Sequence, residues 1–451
     1  MLSVSLLRPW WISLKSSARE MNVLRRVPIY TMASGIVIVA GLAREIVIAS
    51  TFGLSRELDV LVAVMGFHLL FGVQVGNALE SVFVSKMASH HRRPITPLVK
   101  RVSGVLLLLN IVVFTVLILL SRPVLHVIFP EFTMEQYETG VRLIKLLLFS
   151  IACAGLAGLM RGGLSVAGTF IPAFLSGAIV SISTIVSVVA FADRWGIDAV
   201  VWGFAVGHFL VLLWFAVTLW RDSVPASTTD TQDQSIPMRE FWRPVLIVLI
   251  GEFLFQAVAM TERSFASGLG SGKIAAFYYA GSMVAVPLAL FSAPINTTLF
   301  PKLARAFHTG FHAGRQILIR YGIVLFGITL LCSMFVTLVS EPLIEVALAR
   351  GKFSMADARL TARILSILVW GLPFLSLCGV VRNSFYSLSD YRTPIAGHGI
   401  RWVTLLLCGS WLIPLFGVEG LAVSCVAAQV ADTSMLGWFL LCRLGELSEA
   451  T

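Results

Sequence analysis

The sequence predicts an all-α polytopic membrane protein of about twelve transmembrane helices, in two six-helix lobes related by a parallel pseudo-two-fold repeat. Three observations predict it. The 451 residues are 57% hydrophobic and only 13% charged, with a mean hydropathy of +0.88, more apolar surface than a soluble core absorbs. The apolar residues come in blocks such as Val102 to Leu120 and Tyr321 to Val339. At 1.5 Å per residue, roughly 20 helical residues cross the hydrocarbon. The blocks also lack the alternation of a membrane β-barrel, so helices must satisfy the backbone internally. The third observation is that the two halves of the chain resemble each other.

The spans fall near 28–51, 58–85, 102–121, 141–161, 170–192 and 199–220 in the N-lobe (28–220). Those of the C-lobe (244–442) fall near 244–265, 274–300, 317–340, 360–384, 395–415 and 418–442. Between the lobes, 221–243 reads as a cytoplasmic linker, because Ser227 to Ser235 has no apolar periodicity to pack. Residues 443–451 form a C-terminal tail. Residues 1–27 form a cytoplasmic N-terminal segment whose Leu6, Leu7, Trp10 and Trp11 beside Arg8 and Lys15 suit an interfacial helix, unless Met21 is the true start. The segment has neither the length nor the cleavage site of a signal peptide. With both termini cytoplasmic, roughly 22 of the 34 Lys and Arg residues lie inside, as the positive-inside bias requires. This accounts for the net charge of +10 without nucleic acid. His90 to Arg93 reads as a basic loop touching anionic headgroups.

The repeat sets Ala49 to Arg56 against Ala266 to Lys273, and Arg161-Gly162-Gly163 against Arg382-Asn383-Ser384, in consistent order. Two halves in one orientation make a parallel repeat, which places a substrate site between them.

Charged side chains in membrane spans cost roughly 2.5–3.5 kcal/mol each at mid-span, so they are the informative residues. Arg44 and Glu45 stand in the first span; as neighbours about 100° apart on a helix, each is expected to face a different partner. Gln74, Asn77 and Glu80 recur every third residue of the second span, and Gly72 and Gly76 permit close helix approach. In the seventh span Glu252, Gln256 and Arg263 share one stripe, with Glu262 adjacent. These stripes predict an aqueous cavity between the lobes. His68 and His208, without carboxylates at ligand spacing, read as core or cavity histidines rather than metal ligands. The six cysteines lack CxxC spacing and read as small core residues, and no metal site is expected. Pro172, Pro287, Pro294, Pro373 and Pro394 mark kinks or hinges. No Walker A, zinc signature or nucleophile elbow is present, so neither a catalytic residue nor a cofactor is expected, and membrane potential or an ion gradient is the expected driving force.

The run Gly41-Leu42-Ala43-Arg44-Glu45-Ile46-Val47-Ile48-Ala49-Ser50-Thr51-Phe52-Gly53, with Asp59 after it, resembles the first-span signature of the MurJ (MviN) lipid II flippases. These belong to the multidrug/oligosaccharidyl-lipid/polysaccharide exporter superfamily. Phe277-Tyr278-Tyr279-Ala280, Leu299-Phe300-Pro301-Lys302-Leu303, Gly351-Lys352-Phe353-Ser354 and Phe385-Tyr386-Ser387 are similar to the family in the same order, from about Met21 to Leu441. The resemblance implies a transporter rather than an enzyme, in which two lobes alternate access to a cationic cavity in the bacterial inner membrane. The implied cargo is a polyprenyl-diphosphate-linked sugar. Arg44 and Asp59 match positions important in the family, and with Gln74, Asn77, Gln256 and Arg263 they form the expected substrate set. Glu45, Glu80, Glu252 and Glu262 are the expected ion-coupling set.

Departures shape the expected cargo. Apolar residues surround Ile38, Phe71-Gly72-Val73 stands where the family has arginines, and Ala280-Gly281-Ser282 stands where it has an Asp-Arg pair. The chain also stops after twelve spans, where the flippases add two. The first expectation is therefore export of a lipid-linked oligosaccharide for polysaccharide assembly, with membrane lipids and polysaccharide-synthesis proteins as partners. Lipid II itself stands second. A drug/cation antiporter, a membrane-embedded glycosyl ligase and a degenerate scaffold are the remaining alternatives.

Overall fold

The computed structural model describes residues 35–88, 95–221, 238–292, 295, 299, 303, 311–388, 390 and 392–449. Among them, eleven helices are long and apolar enough to cross a membrane. They are α1 (Gly35–Phe52), α2 (Arg56–Met87), α3 (Ile95–Ile128), α4 (Met134–Ala167), α5 (Ile171–Trp195) and α6 (Asp198–Arg221) in the first half. The second half holds α7 (Met238–Ser267), α8 (Lys273–Ser292), α9 (Phe311–Leu348), α10 (Met355–Ser387) and α11 (Thr393–Glu449). The backbone of α11 leaves helical geometry at Gly417, which divides it into two arms and supplies the eleventh and twelfth expected spans. The interfacial N-terminal segment, the His90–Arg93 loop, most of the linker, Pro294 and the Phe300–Lys302 motif lie outside the described residues. Met238 to Arg243 belong to α7, since Phe241 is fully buried against α2.

Local chemistry explains where the helices start. Thr133 and Gln136 form a capping box at α4, and Ser354 and Asp357 form one at α10. Gly196 (φ 54°, ψ −136°) ends α5, and Gly417 (φ 57°, ψ −126°) breaks α11, in a region that side chains other than glycine rarely enter. The ion pair Arg142–Asp198 (3.3 Å) has a counterpart in Arg363–Glu419 (3.6 Å). Each of these features recurs at the same offset that relates Arg161 to Arg382, so the repeat is expressed in backbone geometry as well as in sequence.

In the first half, α4 is the central post. Gly158 of α4 meets Gly76 of α2 so closely that a methyl group on Gly158 would strike the Gly76 backbone, and Gly72 rests on Ile151 and Ala154. The α3 helix instead turns Leu108, Ile111, Val112 and Leu119 outward, the side chains that a lipid solvent requires. The prolines act less as hinges than expected. Pro172 sits in the first turn of α5 and Pro373 at the start of the second helical segment of α10, where a missing N–H costs little. Pro287 directly precedes a π-helical turn, Leu288–Ser292. A second π turn, Leu69–Gln74, interrupts α2 without a proline.

Asp390 organises the turn into α11. Its carboxylate accepts hydrogen bonds from the backbone N–H groups of Arg392 (3.0 Å) and Thr393 (3.1 Å) and the Thr393 hydroxyl (2.7 Å), and pairs with Arg443. Burial pushes this carboxyl up, but the Thr393 and Arg392 hydrogen bonds and the Arg443 charge outweigh it and hold it below the ordinary value. A depressed carboxylate contributes stability that is present above its unfolded value, near 4, and lost as the pH falls through its folded value. Thermal unfolding in detergent from about pH 6 downward is expected to show this loss in the wild type and a flatter profile in Asp390→Asn.

Candidate functional site

A cavity of about 350 Å³ opens among α1, α2, α4, α5 and α6, with Arg263 of α7 and Tyr278 of α8 closing the side toward the second half. Its charged lining comprises Arg44, Glu45, Arg161 and Arg263, three cations against one carboxylate. The remaining wall is largely apolar, so the arginines act in a medium that strengthens their charge.

Arg44 and Glu45 pair with each other, which corrects the expectation that each faces a different neighbour. Arg44 donates to Glu45 Oε1 through Nη2 (2.5 Å) and Nε (3.1 Å). The long arginine side chain bends back across the angle between adjacent positions, while Glu45 is held in place by the Tyr278 hydroxyl (2.9 Å). The guanidinium also lies over the Phe204 ring, 5.2 Å from its centroid.

Asn77 lines the cavity, whereas Gln74 and Glu80 do not; all three join a chain centred on Arg161. Arg161 donates to Glu80 (2.6 Å) and to the Asn77 carbonyl (2.7 Å), and the Asn77 amide donates to Gln74 (3.0 Å). Arg161 is the residue that the reading of polar stripes missed. The internal repeat had marked it, but its partners lie far away in sequence on another helix.

The α7 stripe divides, which corrects the picture of one wet face. Arg263 reaches the cavity, and its buried Nη1 has no hydrogen-bond partner among the described residues, though Glu262 and Tyr278 act on its charge. Gln256 is buried, and its amide nitrogen has no hydrogen-bond partner among the described residues. Glu252 lies under the influence of Arg382, and Glu262 under that of Arg263 first, then Arg401 and Cys425, so both carboxylates are set within the second half. There Arg382 pairs with the fully buried Asp432 (2.9 Å) and contacts His398 (2.6 Å).

His68 and His208 stand on the cavity wall with ring centroids 4.8 Å apart, and Ser150 meets His208 at 3.2 Å. Asp59 does not line the cavity. Its buried carboxylate accepts the backbone N–H groups of Gly272 and Ala275 (2.8 Å) at the start of α8, joining the two halves. Beside it the Lys352 N–H donates to the Ser50 carbonyl (2.8 Å) and the Ser264 hydroxyl to the Ile128 carbonyl. At Gly351 and Gly272 a side chain would collide with Ser50 and Leu54, so glycine is what lets the halves meet here.

Known proteins share the family and the fold. The profile of a family described as "Lipid II flippase MurJ" matches residues 48–450. A probable lipid II flippase MurJ of Buchnera aphidicola subsp. Schizaphis graminum is 24% identical over 443 residues, covering 93% of this chain and 84% of the relative. One from Rhizobium tropici is 25% identical over 407 residues, covering 85% and 74%. A solved lipid II flippase MurJ in an inward closed conformation superposes with a TM-score of 0.79 at 18% identity, over 91% of this chain and 87% of that one. An inward-facing multidrug resistance MATE family transporter of the MOP superfamily reaches 0.72 at 14% identity, over 92% and 96%. The structural likenesses show the fold alone.

Proposed function

The chain belongs to the Lipid II flippase MurJ family and is a multi-pass membrane transporter rather than an enzyme, and we propose that its cargo is lipid II, moved across the bacterial inner membrane. The expectation of a different lipid-linked oligosaccharide gives way to the reading that the relatives support, since matches over most of both chains carry the lipid II name.

The observation that carries the proposal is the half-buried Arg263, which lines a cavity where arginines outnumber carboxylates and whose buried Nη1 has no hydrogen-bond partner among the described residues. A guanidinium withdrawn from water calls for a charge-assisted acceptor, and a diphosphate offers paired oxygens that match its fork. Arg44 is already committed to Glu45 and Arg161 to Glu80, so Arg263 takes the first contact and the other two tune the field. The polyprenyl tail stays in lipid while the polar head passes through the cavity. Asn77 supports the head from α2, whereas Gln74 and Gln256 act behind the wall.

Alternating access requires the contacts between α2 and α8, and between the α1–α2 and α9–α10 turns, to break and reform. Asp59 therefore serves as a latch rather than a substrate ligand. Glu45, which would exchange Arg44 for a proton or a cation, is the leading coupling group. Glu80 follows it through Arg161, and Glu252 and Glu262 would sense the cycle from the second half. Membrane potential or an ion gradient supplies the bias between states. Both termini face the cytoplasm in this scheme.

Expression in a bacterium depleted of its own lipid II flippase is expected to restore growth and peptidoglycan synthesis. Normal membrane insertion with no rescue would count against lipid II as cargo.

A further inference from the structure

A second cavity, of about 540 Å³, lies on the lipid-facing side of the first half, between the ends of α3 and α4 that the α3–α4 turn joins. Ile118, Leu119, Val141 and Leu146 give it apolar walls, and Arg122, Arg142 and Lys145 stand over them with Glu138 as the lining carboxylate. Leu119 is 70% exposed, so the groove is continuous with the face that α3 turns to lipid.

The internal repeat separates the scaffold charges from the additional ones. Arg142–Asp198 has its counterpart in Arg363–Glu419, so this pair is part of the shared architecture. At the same offset, Arg122 and Lys145 correspond to Leu343 and Ser366, which carry no charge. Neither Arg122 nor Lys145 makes an ion pair among the described residues, and Arg122 donates only to the Met134 thioether (2.9 Å), a weak acceptor. In the second half, by contrast, Arg359 at the corresponding turn is neutralised by Glu341 (3.2 Å).

Depth makes these charges costly unless they are met. The 34 residues of α4 span about 51 Å against about 30 Å of hydrocarbon, so roughly 10 Å protrude at each end of a centred helix. Lys145 lies about 16 Å from the Met134 end, inside the hydrocarbon edge, with an exposed side chain that must reach back toward the headgroups. Its path runs toward Arg142 and Arg122.

We infer that this groove is a binding site for one anionic phospholipid, with the phosphodiester held by Arg122 and Lys145 and an acyl chain lying along Ile118, Leu119, Val141 and Leu146. Arginine and lysine pair with a phosphodiester through charge-assisted hydrogen bonds, and the apolar walls open directly into the bilayer. The site is separate from the central cavity and requires no transport step.

Native mass spectrometry of the purified full-length protein, titrated with phosphatidylglycerol and with phosphatidylcholine of the same chains, tests it. The wild type is expected to prefer phosphatidylglycerol, and Arg122→Gln/Lys145→Gln to lose about tenfold or more of that preference with phosphatidylcholine binding unchanged. Equal binding of the two lipids by the wild type, or an undiminished preference in the double variant, would overturn the inference. So would displacement of phosphatidylglycerol by an equal concentration of a polyprenyl diphosphate, which would give the groove to the cargo. If the double variant does not fold, Lys145→Gln alone is expected to lose part of the preference, and full retention there would likewise overturn it. The readout is binding, so its failure leaves the proposed cargo standing, and failure of the cargo assay leaves this site standing.

Discussion

Arg263→Ala is expected to reduce lipid II transport by about 10- to 100-fold while the protein inserts and folds normally. The magnitude follows from losing a charge-assisted hydrogen-bonded contact to a desolvated anion, worth about 1.5–3 kcal/mol. Stability is expected to hold, because the Nη1 that is lost has no hydrogen-bond partner among the described residues and Glu262 keeps Arg401. Arg263→Lys should recover only part of the activity, since an ammonium keeps the charge but not the planar fork. Arg44→Ala is the informative contrast, for it leaves Glu45 buried against Tyr278 without its cation and should therefore impair folding as well as transport. Wild-type flipping in reconstituted Arg263→Ala would remove the guanidinium from the mechanism.

Asp59→Ala carries the second large effect, and it arises from the joint between the halves. The substitution leaves the Gly272 and Ala275 N–H groups without their acceptor at the start of α8, at about 1–3 kcal/mol for each orphaned donor. Together these come to about 2–6 kcal/mol, so the joined arrangement should lose its advantage by about 30-fold or more relative to the separated one. Spin labels at Arg56 and Ser271, on the two sides of the joint, should report a shift from short to long distances. Asp59→Asn keeps one acceptor oxygen and should fall between the two. An unchanged distance distribution in Asp59→Ala, with transport intact, would show that the contact is not a latch.

Much of the fold was legible in the sequence, because hydrocarbon imposes a length and a composition on each span that few side-chain details can override. The break at Gly417 and the repeat joining Arg161 to Arg382 were likewise readable as pattern. The site was less so. Polar stripes on α1, α2 and α7 identified Arg44, Glu45, Asn77 and Arg263, which do meet, but not the walls supplied by α4, α5 and α6. Those walls are mostly apolar, and nothing distinguishes Val180 or Val211 from a lipid-facing valine until the helices are packed. Pairings were harder still. Helical geometry placed Arg44 and Glu45 on different faces, yet an arginine side chain is long enough to bend across that angle. Arg161 finds Glu80 only because Gly76 and Gly158 draw α2 and α4 together. Asp59 entered the expected substrate set through the family resemblance, and its partners are backbone N–H groups, which no side-chain pattern reveals.

The most direct test of the central claim is flipping in proteoliposomes containing the purified chain, with fluorescent lipid II and a polyprenyl-diphosphate oligosaccharide unrelated to peptidoglycan compared side by side. Protein-dependent movement of lipid II that is lost in Arg263→Ala is the expected result. Movement of the other glycan alone, or of neither, would contradict it.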